Sequence, residues 1–340
     1  MARNGSGTMS VAYPDFVAGT TISSDQVDAN FATIVAEITN SIAADGQTTA
    51  SQRIPFASGI SSNTVAELTS GAGVTVDGLL IKDGRSQRLP FNFIGGLRLA
   101  QAADTDHDIT IAAGDARDPT DAADLTLAAA ITKQIDAAWV VGTNQGGMDT
   151  STVANTTLYA VWLIKRSDTS VVDALFSTSF SAPTMPASYD YKRLIGAVKT
   201  NGSANIIAFV QRGDEFWFTG DVVEDIDDAT ITDATFESGT VSCPPNCLAR
   251  LYASAARNSG TPDGTVWICV RRNGAADSGG LGESIYMTTN GSDDDALGAA
   301  IEVMVDGSSL VQYAAHEGGA EVTRVRIKTR GFRMLTRSDP

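Results

Sequence analysis

Apolar residues recur at steps of three and four in one short window near the N-terminus, and at steps of two or in short unbroken runs over most of the rest. Val27, Phe31, Ile34, Ile38 and Ile42, with Val35 beside them, fall on one face of a helix. Ser23 and Gln26 make a Ser-x-x-Gln capping box at its start, and Asp45-Gly46 marks its expected end. A lone helix of this length is marginal and needs a cover for its stripe, either from its own domain or from sister chains.

Beyond it the pattern is that of strands. Val74, Val76 and the Leu79-Leu80-Ile81 run alternate with the turn dipeptides Asp77-Gly78 and Asp83-Gly84. Such short units bury no core singly, and fit either an ordinary hairpin on a monomer or three chains wrapped together. Ile109-Thr110-Ile111 alternates, and Tyr159 to Ile164 is a nearly continuous apolar run that suits a strand buried on both faces. Leu194 to Val198 and Ile206 to Val210 are further strands, separated by turns at Gly142 to Gly147 and Pro183 to Pro186. A helix is expected from Leu125 to Ala138. The acidic stretch Asp221 to Asp228 marks a boundary. After it, Gly239 to Arg272 and Glu283 to Arg330 are strands with Gly, Asn and Asp turns, which predicts a β-sandwich of jelly-roll type.

Composition narrows the function. The 340 residues are 43% hydrophobic and 19% charged, enough apolar material for packed cores. A formal charge of -16 repels phosphate backbones and argues against nucleic acid as a partner. Three cysteines give no complete disulfide framework within one chain. The absence of a long apolar run or a basic-then-apolar leader predicts neither membrane insertion nor secretion, and synthesis in a cytoplasm.

The first fifty residues, through MARNGSGT, GTTISS and ITNSIAADGQTT, resemble the virion-proximal module that opens many tailed-bacteriophage tail fibres and tailspikes. ELTSGAGVTVDGLLIKDG, GTNQGGMDT, KRSDTSVVDALFSTSFSAPTMP and KRLIGAV resemble phage tail appendage proteins as well. The resemblance implies an anchor that attaches the appendage to the tail. The fold class expected is mainly β: a short N-terminal helical anchor over 1–55, an intertwined β connector forming a trimeric neck over 56–88, a β-rich middle domain over 89–220, and a C-terminal β-sandwich over 221–340 as receptor-binding tip.

The candidate chemistry is sparse. GTNQGG lacks the Gly-Lys-Ser/Thr ending of a phosphate-binding loop, so a structural turn is expected. The Asp221 to Asp228 carboxylates cannot be given glycosidase roles from spacing. Cys243, Cys247 and Cys269 with His107 and His316 fall short of a zinc set unless His316 joins all three thiols, and buried thiols are expected. No catalytic residue, cofactor or metal is expected. Arg324, Arg326, Lys328 and Arg330 share one face of the last strand, opposite Val325 and Ile327, with Arg333 and Arg337 beyond. They pair with acidic neighbours or contact an anionic host surface.

The function expected is a structural virion protein, a homotrimeric tail fibre held to the tail, baseplate or an adaptor by residues 1–55 and mediating host adsorption. Its C-terminal domain would bind host cell-surface polysaccharide or protein, with Tyr252, Tyr286 or Tyr313 as candidate tip aromatics. An architectural adaptor carrying another receptor-binding protein is the alternative. A glycan depolymerase is third, since no long regular repeat follows residue 90 and the usual nucleophile-base sets are poorly supplied.

Overall fold

The computed structural model describes residues 21, 23–39, 74–76, 79–82, 85–86, 89–150, 152–220, 223–232, 235–257, 265–275, 284–288, 297–317 and 322–334. Most of the 1–55 module, the expected helix end at Asp45-Gly46 and the turns of the 56–88 connector lie outside them. The chain divides into two compact units, Met1–Val74 and Thr75–Pro340.

In the first, α1 spans Ser24–Thr39. Its capping box forms as the sequence predicts. The Ser23 backbone N–H donates to Gln26 Oε1 at 3.1 Å, and the Gln26 N–H donates to Ser23 Oγ at 3.3 Å. Phe31, in the apolar stripe, is 62% exposed within this chain.

The larger unit is built of strands. β1 (Val74–Val76), β2 (Leu79–Lys82) and β3 (Arg85–Ser86) make a small sheet at its start. There follow β4 (Ile94–Gly96), β5 (Leu99–Gln101), β6 (Asp108–Ile111), β7 (Gly114–Arg117), β8 (Asp124–Leu127), β9 (Ile131–Ala138), β10 (Gln145–Met148), β11 (Leu158–Arg166), β12 (Val172–Ser177) and β13 (Tyr189–Lys199). Seven of these form one sheet in the order β13-β11-β12-β10-β9-β6-β5, flanked by β4-β7-β8.

The helix expected over Leu125 to Ala138 is instead β8 and β9. Leu125 and Leu127 point inward and Thr126 outward, a period of two that fits a strand. β8 pairs with β7, and β9 is held between β6 and β10. The Tyr159 to Ile164 run is buried on both faces. Tyr159, Val161 and Leu163 enter the main core, while Ala160, Trp162 and Ile164 pack with Leu175 and Tyr189 on the other side. The GTNQGG turn leads into β10, where glycine is needed for close approach. A Cβ on Gly146 would lie 2.0 Å from the Ala138 carbonyl oxygen. The loop is pinned from below by Lys133, whose ammonium donates to the Val140 and Gly142 carbonyls at 2.6 and 3.2 Å and pairs with buried Asp173 at 3.4 Å.

The remaining strands are β14 (Phe209–Arg212), β15 (Glu215–Phe218), β16 (Val223–Asp228), β17 (Glu237–Thr240), β18 (Leu248–Arg257), β19 (Thr265–Arg272), β20 (Ser284–Thr288), β21 (Leu297–Met304), β22 (Leu310–Glu317) and β23 (Val322–Arg333). The last eight pair as β16-β23-β18-β21 and β17-β22-β19-β20, the strand order of a jelly roll. Val325, Ile327, Leu251 and Ala253 from one sheet meet Val311, Tyr313, Ile268 and Val270 from the other in the core.

The boundary expected at residue 220 does not separate two cores. β14 and β15, assigned by sequence to the middle domain, extend the jelly-roll sheet through β23. Phe216 stacks on Phe332 with ring centroids 4.8 Å apart, and Gly196 of β13 packs so closely that a Cβ there would sit 2.4 Å from Leu99 and 3.0 Å from Phe216. The buried cluster is continuous from Leu97 to Met334.

The shared core carries a test. Phe332→Ala removes a fully buried ring from it and should destabilise the unit by about 3–5 kcal/mol. Denaturant unfolding of the variant, followed by tryptophan fluorescence and by circular dichroism, should still show one coincident transition for residues 89–334. Two separated transitions would mean two independent cores.

Candidate functional site

The expected basic face exists, and the structure gives it a neighbour. Val325, Ile327 and Thr329 of β23 face the core, so Arg324, Arg326, Lys328 and Arg330 face outward. β16, the acidic stretch, lies directly alongside in antiparallel register, with Glu224 opposite Lys328 and Asp227 opposite Arg326. Arg324 forms a two-pronged contact with Asp227, Arg326 reaches the same carboxylate at 3.4 Å, and Lys328 meets Glu224 at 3.2 Å. The Arg324 guanidinium, backed by Arg326, holds the Asp227 carboxyl down at about 2. Three of the four cations are thus spent within the sheet.

Arg330 differs because the sheet is bulged there. Thr329 pairs with Leu251 and Gly331 with Arg250, which leaves Arg330 as the extra residue opposite β18. A bulge puts two successive residues on one face, so Arg330 and Gly331 both look outward. Phe332 returns to the core. Arg330 makes no ion pair with any described residue and lines an open hollow of about 310 Å³ with Trp217, Arg250, Leu251, Ala300, Ile301 and Glu302.

One row across four strands builds this hollow. Trp217 of β15 faces Gly331 of β23, Gly331 faces Arg250 of β18, and Arg250 faces Glu302 of β21. Because Gly331 carries no side chain, the Arg250 guanidinium reaches over it and lies 4.2 Å from the Trp217 ring centroid. A Cβ on Gly331 would come within 2.1 Å of the Phe216 carbonyl oxygen and 3.1 Å of the Trp217 Cα. Arg250 also takes Glu215 in a two-pronged contact at 2.7 and 3.3 Å and approaches Glu302 at 2.8 Å. The indole is 37% exposed, and Val210 beside it on β14 is 43% exposed. The result is an aromatic plate edged by fixed donors and acceptors.

The other sequence candidates fare differently. Tyr313 is 5% exposed and donates its hydroxyl to Asp228 Oδ2 at 3.1 Å, so it is a core residue and not a tip contact. Tyr252 lies on the outer face over Gly298, where a Cβ would meet its ring at 2.4 Å. The Tyr286, His316 and Arg337 side chains lie outside the described residues. Cys243, Cys247 and Cys269 are buried, and burial raises the Cys243 thiol well above its ordinary value. His107 sits in a turn far from them in sequence, 3.4 Å from Asp104. Among the described residues no group of three His, Cys, Asp or Glu side chains could hold a metal, and no helix is long and apolar enough to cross a membrane. Sequence reasoning found Arg330 but missed Trp217, Arg250 and Glu302, which lie on separate strands with no common spacing.

The Asp227 pairing sets a pH dependence. A carboxyl held low in the fold contributes stability that is present above its unfolded value near 4 and is lost as pH falls toward about 2. Carboxyl-carbon NMR should give Asp227 a midpoint near 2, rising toward the ordinary Asp range in Arg324→Ala. An unchanged midpoint in the variant would remove Arg324 as its cause.

No protein-family model and no curated protein matches this chain. Among solved structures, the chain aligns with the crystal structure of insecticidal delta-endotoxin Cry8Ea1 from Bacillus thuringiensis, at 7% identity and a TM-score of 0.18. The alignment covers 71% of this chain and spans about half, 52%, of the toxin chain. A likeness this faint carries no argument about fold or function.

Proposed function

We propose that this chain is a structural virion protein, a tailed-phage tail fibre that recognises the host surface through the outer face of its C-terminal jelly roll. The Trp217 hollow is the observation that carries the reading. The part of the indole that Arg250 leaves exposed, beside charge-fixed hydrogen-bonding groups, suits the apolar face and hydroxyl rim of a surface saccharide. Arg330 adds a cation for an acidic sugar or a phosphate substituent. Glu215 and Glu302 are both engaged by Arg250, which fits recognition better than acid–base chemistry. The sequence resemblance of the first fifty residues to virion-anchoring modules supports attachment at that end.

A single shallow hollow binds weakly. A trimer displaying three of them would gain avidity of about 10²–10⁴ without new contacts. The exposed Phe31 of α1 and the short β1-β2-β3 sheet are the features that would gain most from sister chains.

The purified full chain, fluorescently labelled, should stain susceptible bacteria and block adsorption of the phage that carries it. Trp217→Ala should weaken both effects roughly tenfold or more, the cost of a central aromatic contact, while keeping the wild-type circular dichroism spectrum. A folded wild-type chain that stains no susceptible cell and blocks no infection would overturn host recognition and leave an architectural adaptor.

A further inference from the structure

A second cavity lies at the seam between the seven-stranded sheet and the jelly roll, away from the outer-face hollow. It is an open pocket of about 500 Å³, the size of a small-molecule site. Its lining is unusual in being mostly hydroxyl-bearing, and one charged pair stands in it: Lys199 at the end of β13, and Asp225 of β16.

Asp225 reaches the cavity because β16 is bulged. Glu224 pairs with Lys328 and Ile226 with Ile327, so Asp225 is the extra residue and turns away from the outer row of acids. It accepts from the Ser242 N–H at 2.9 Å and the Ser242 hydroxyl at 2.6 Å, and takes a short hydrogen bond from Thr329. Burial raises its carboxyl despite these donors. Lys199 is 7% exposed, and its ammonium has three N–H donors. Among the described residues it meets one acceptor, the Thr156 carbonyl at 3.0 Å. Burial lowers it, against the pull of Asp225. Its remaining donors are available to water or to a ligand that enters the pocket.

The pair is neutral as a whole, which disfavours a charged ligand. Neighbouring hydroxyls of one ligand can both accept from an ammonium such as Lys199 and donate to a carboxylate such as Asp225. Thr157, Thr178 and Ser309 supply further hydroxyls, and Phe180 and Pro245 give an apolar wall for C–H groups. We propose that this seam cavity binds a small neutral polyol, a molecule of one ring or a short chain carrying neighbouring hydroxyls. Its walls come from both halves of the unit, so occupancy ties the seven-stranded sheet to the jelly roll. The site is separate from the Trp217 hollow and stands or falls apart from host recognition.

The test is saturation-transfer NMR on the full chain with myo-inositol, D-galactose and glycerol, each titrated to saturation. At least one should bind saturably. Lys199→Met should lose that binding tenfold or more, as removal of a charged hydrogen-bond donor does. Thr178→Trp, which fills the mouth from an exposed position, should abolish it without loss of folding. Trp217→Ala should leave it unchanged, which separates this site from the outer hollow. No saturable binding by any of the three, or binding that survives both Lys199→Met and Thr178→Trp, would overturn the proposal.

Discussion

The large unit depends on β23. This one strand hydrogen-bonds to β15, β16 and β18, and so carries the C-terminal sheet on both of its edges. Its inward residues, Val325, Ile327 and Phe332, are fully buried, and Phe332 stacks on Phe216. A strand near the end of the chain thereby holds strands that precede it by about a hundred residues. Contacts of such sequence separation cost loop entropy before they return anything, so a fold of this type forms late and as a whole. The continuity of the core from Leu97 to Met334 follows from that dependence.

Much of the fold was legible in the sequence because its signals are local. The Ser23–Gln26 capping box, the Tyr159 to Ile164 run and the alternating faces of β23 each express a rule that needs a few neighbouring residues. The jelly-roll expectation rested on strand spacing and turns, and the observed strand order agrees with it. The helix expected over Leu125 to Ala138 failed because helix and strand patterns are ambiguous over short apolar runs, and the pairing with β7 and β6 decided the matter. The acidic stretch at the expected boundary near residue 220 is itself a strand. An acidic run is read as a solvated linker, yet here β16 alternates Val223 and Ile226 inward and keeps its acids beside a basic strand.

The candidate sites were less legible because they are assembled across strands. Trp217, Gly331, Arg250 and Glu302 span 115 positions of chain yet form one row. Nothing in a one-dimensional pattern marks Gly331 as the gap that lets an arginine lie on a tryptophan. Both bulges are equally silent, since Arg330 and Asp225 look like ordinary members of a basic and an acidic run. Bulges re-aim side chains: the one in β16 turns Asp225 inward, and the one in β23 keeps Arg330 and Gly331 together on the outer face beside Trp217.

That division has a consequence for how an acidic chain could hold a surface that is itself often anionic. With a formal charge of -16 the long-range field opposes such a partner. Arg324, Arg326 and Lys328 do little against it, because Glu224 and Asp227 offset most of their charge at close range. Among the described residues Arg330 meets no acid, and its charge would act only over contact distances, since salt screens a surface charge within about 8–10 Å. Recognition at such a site therefore gains little from steering and depends on residence, which an aromatic plate and several copies of it would supply. An adhesin built this way would tolerate a repulsive approach and be selective at contact.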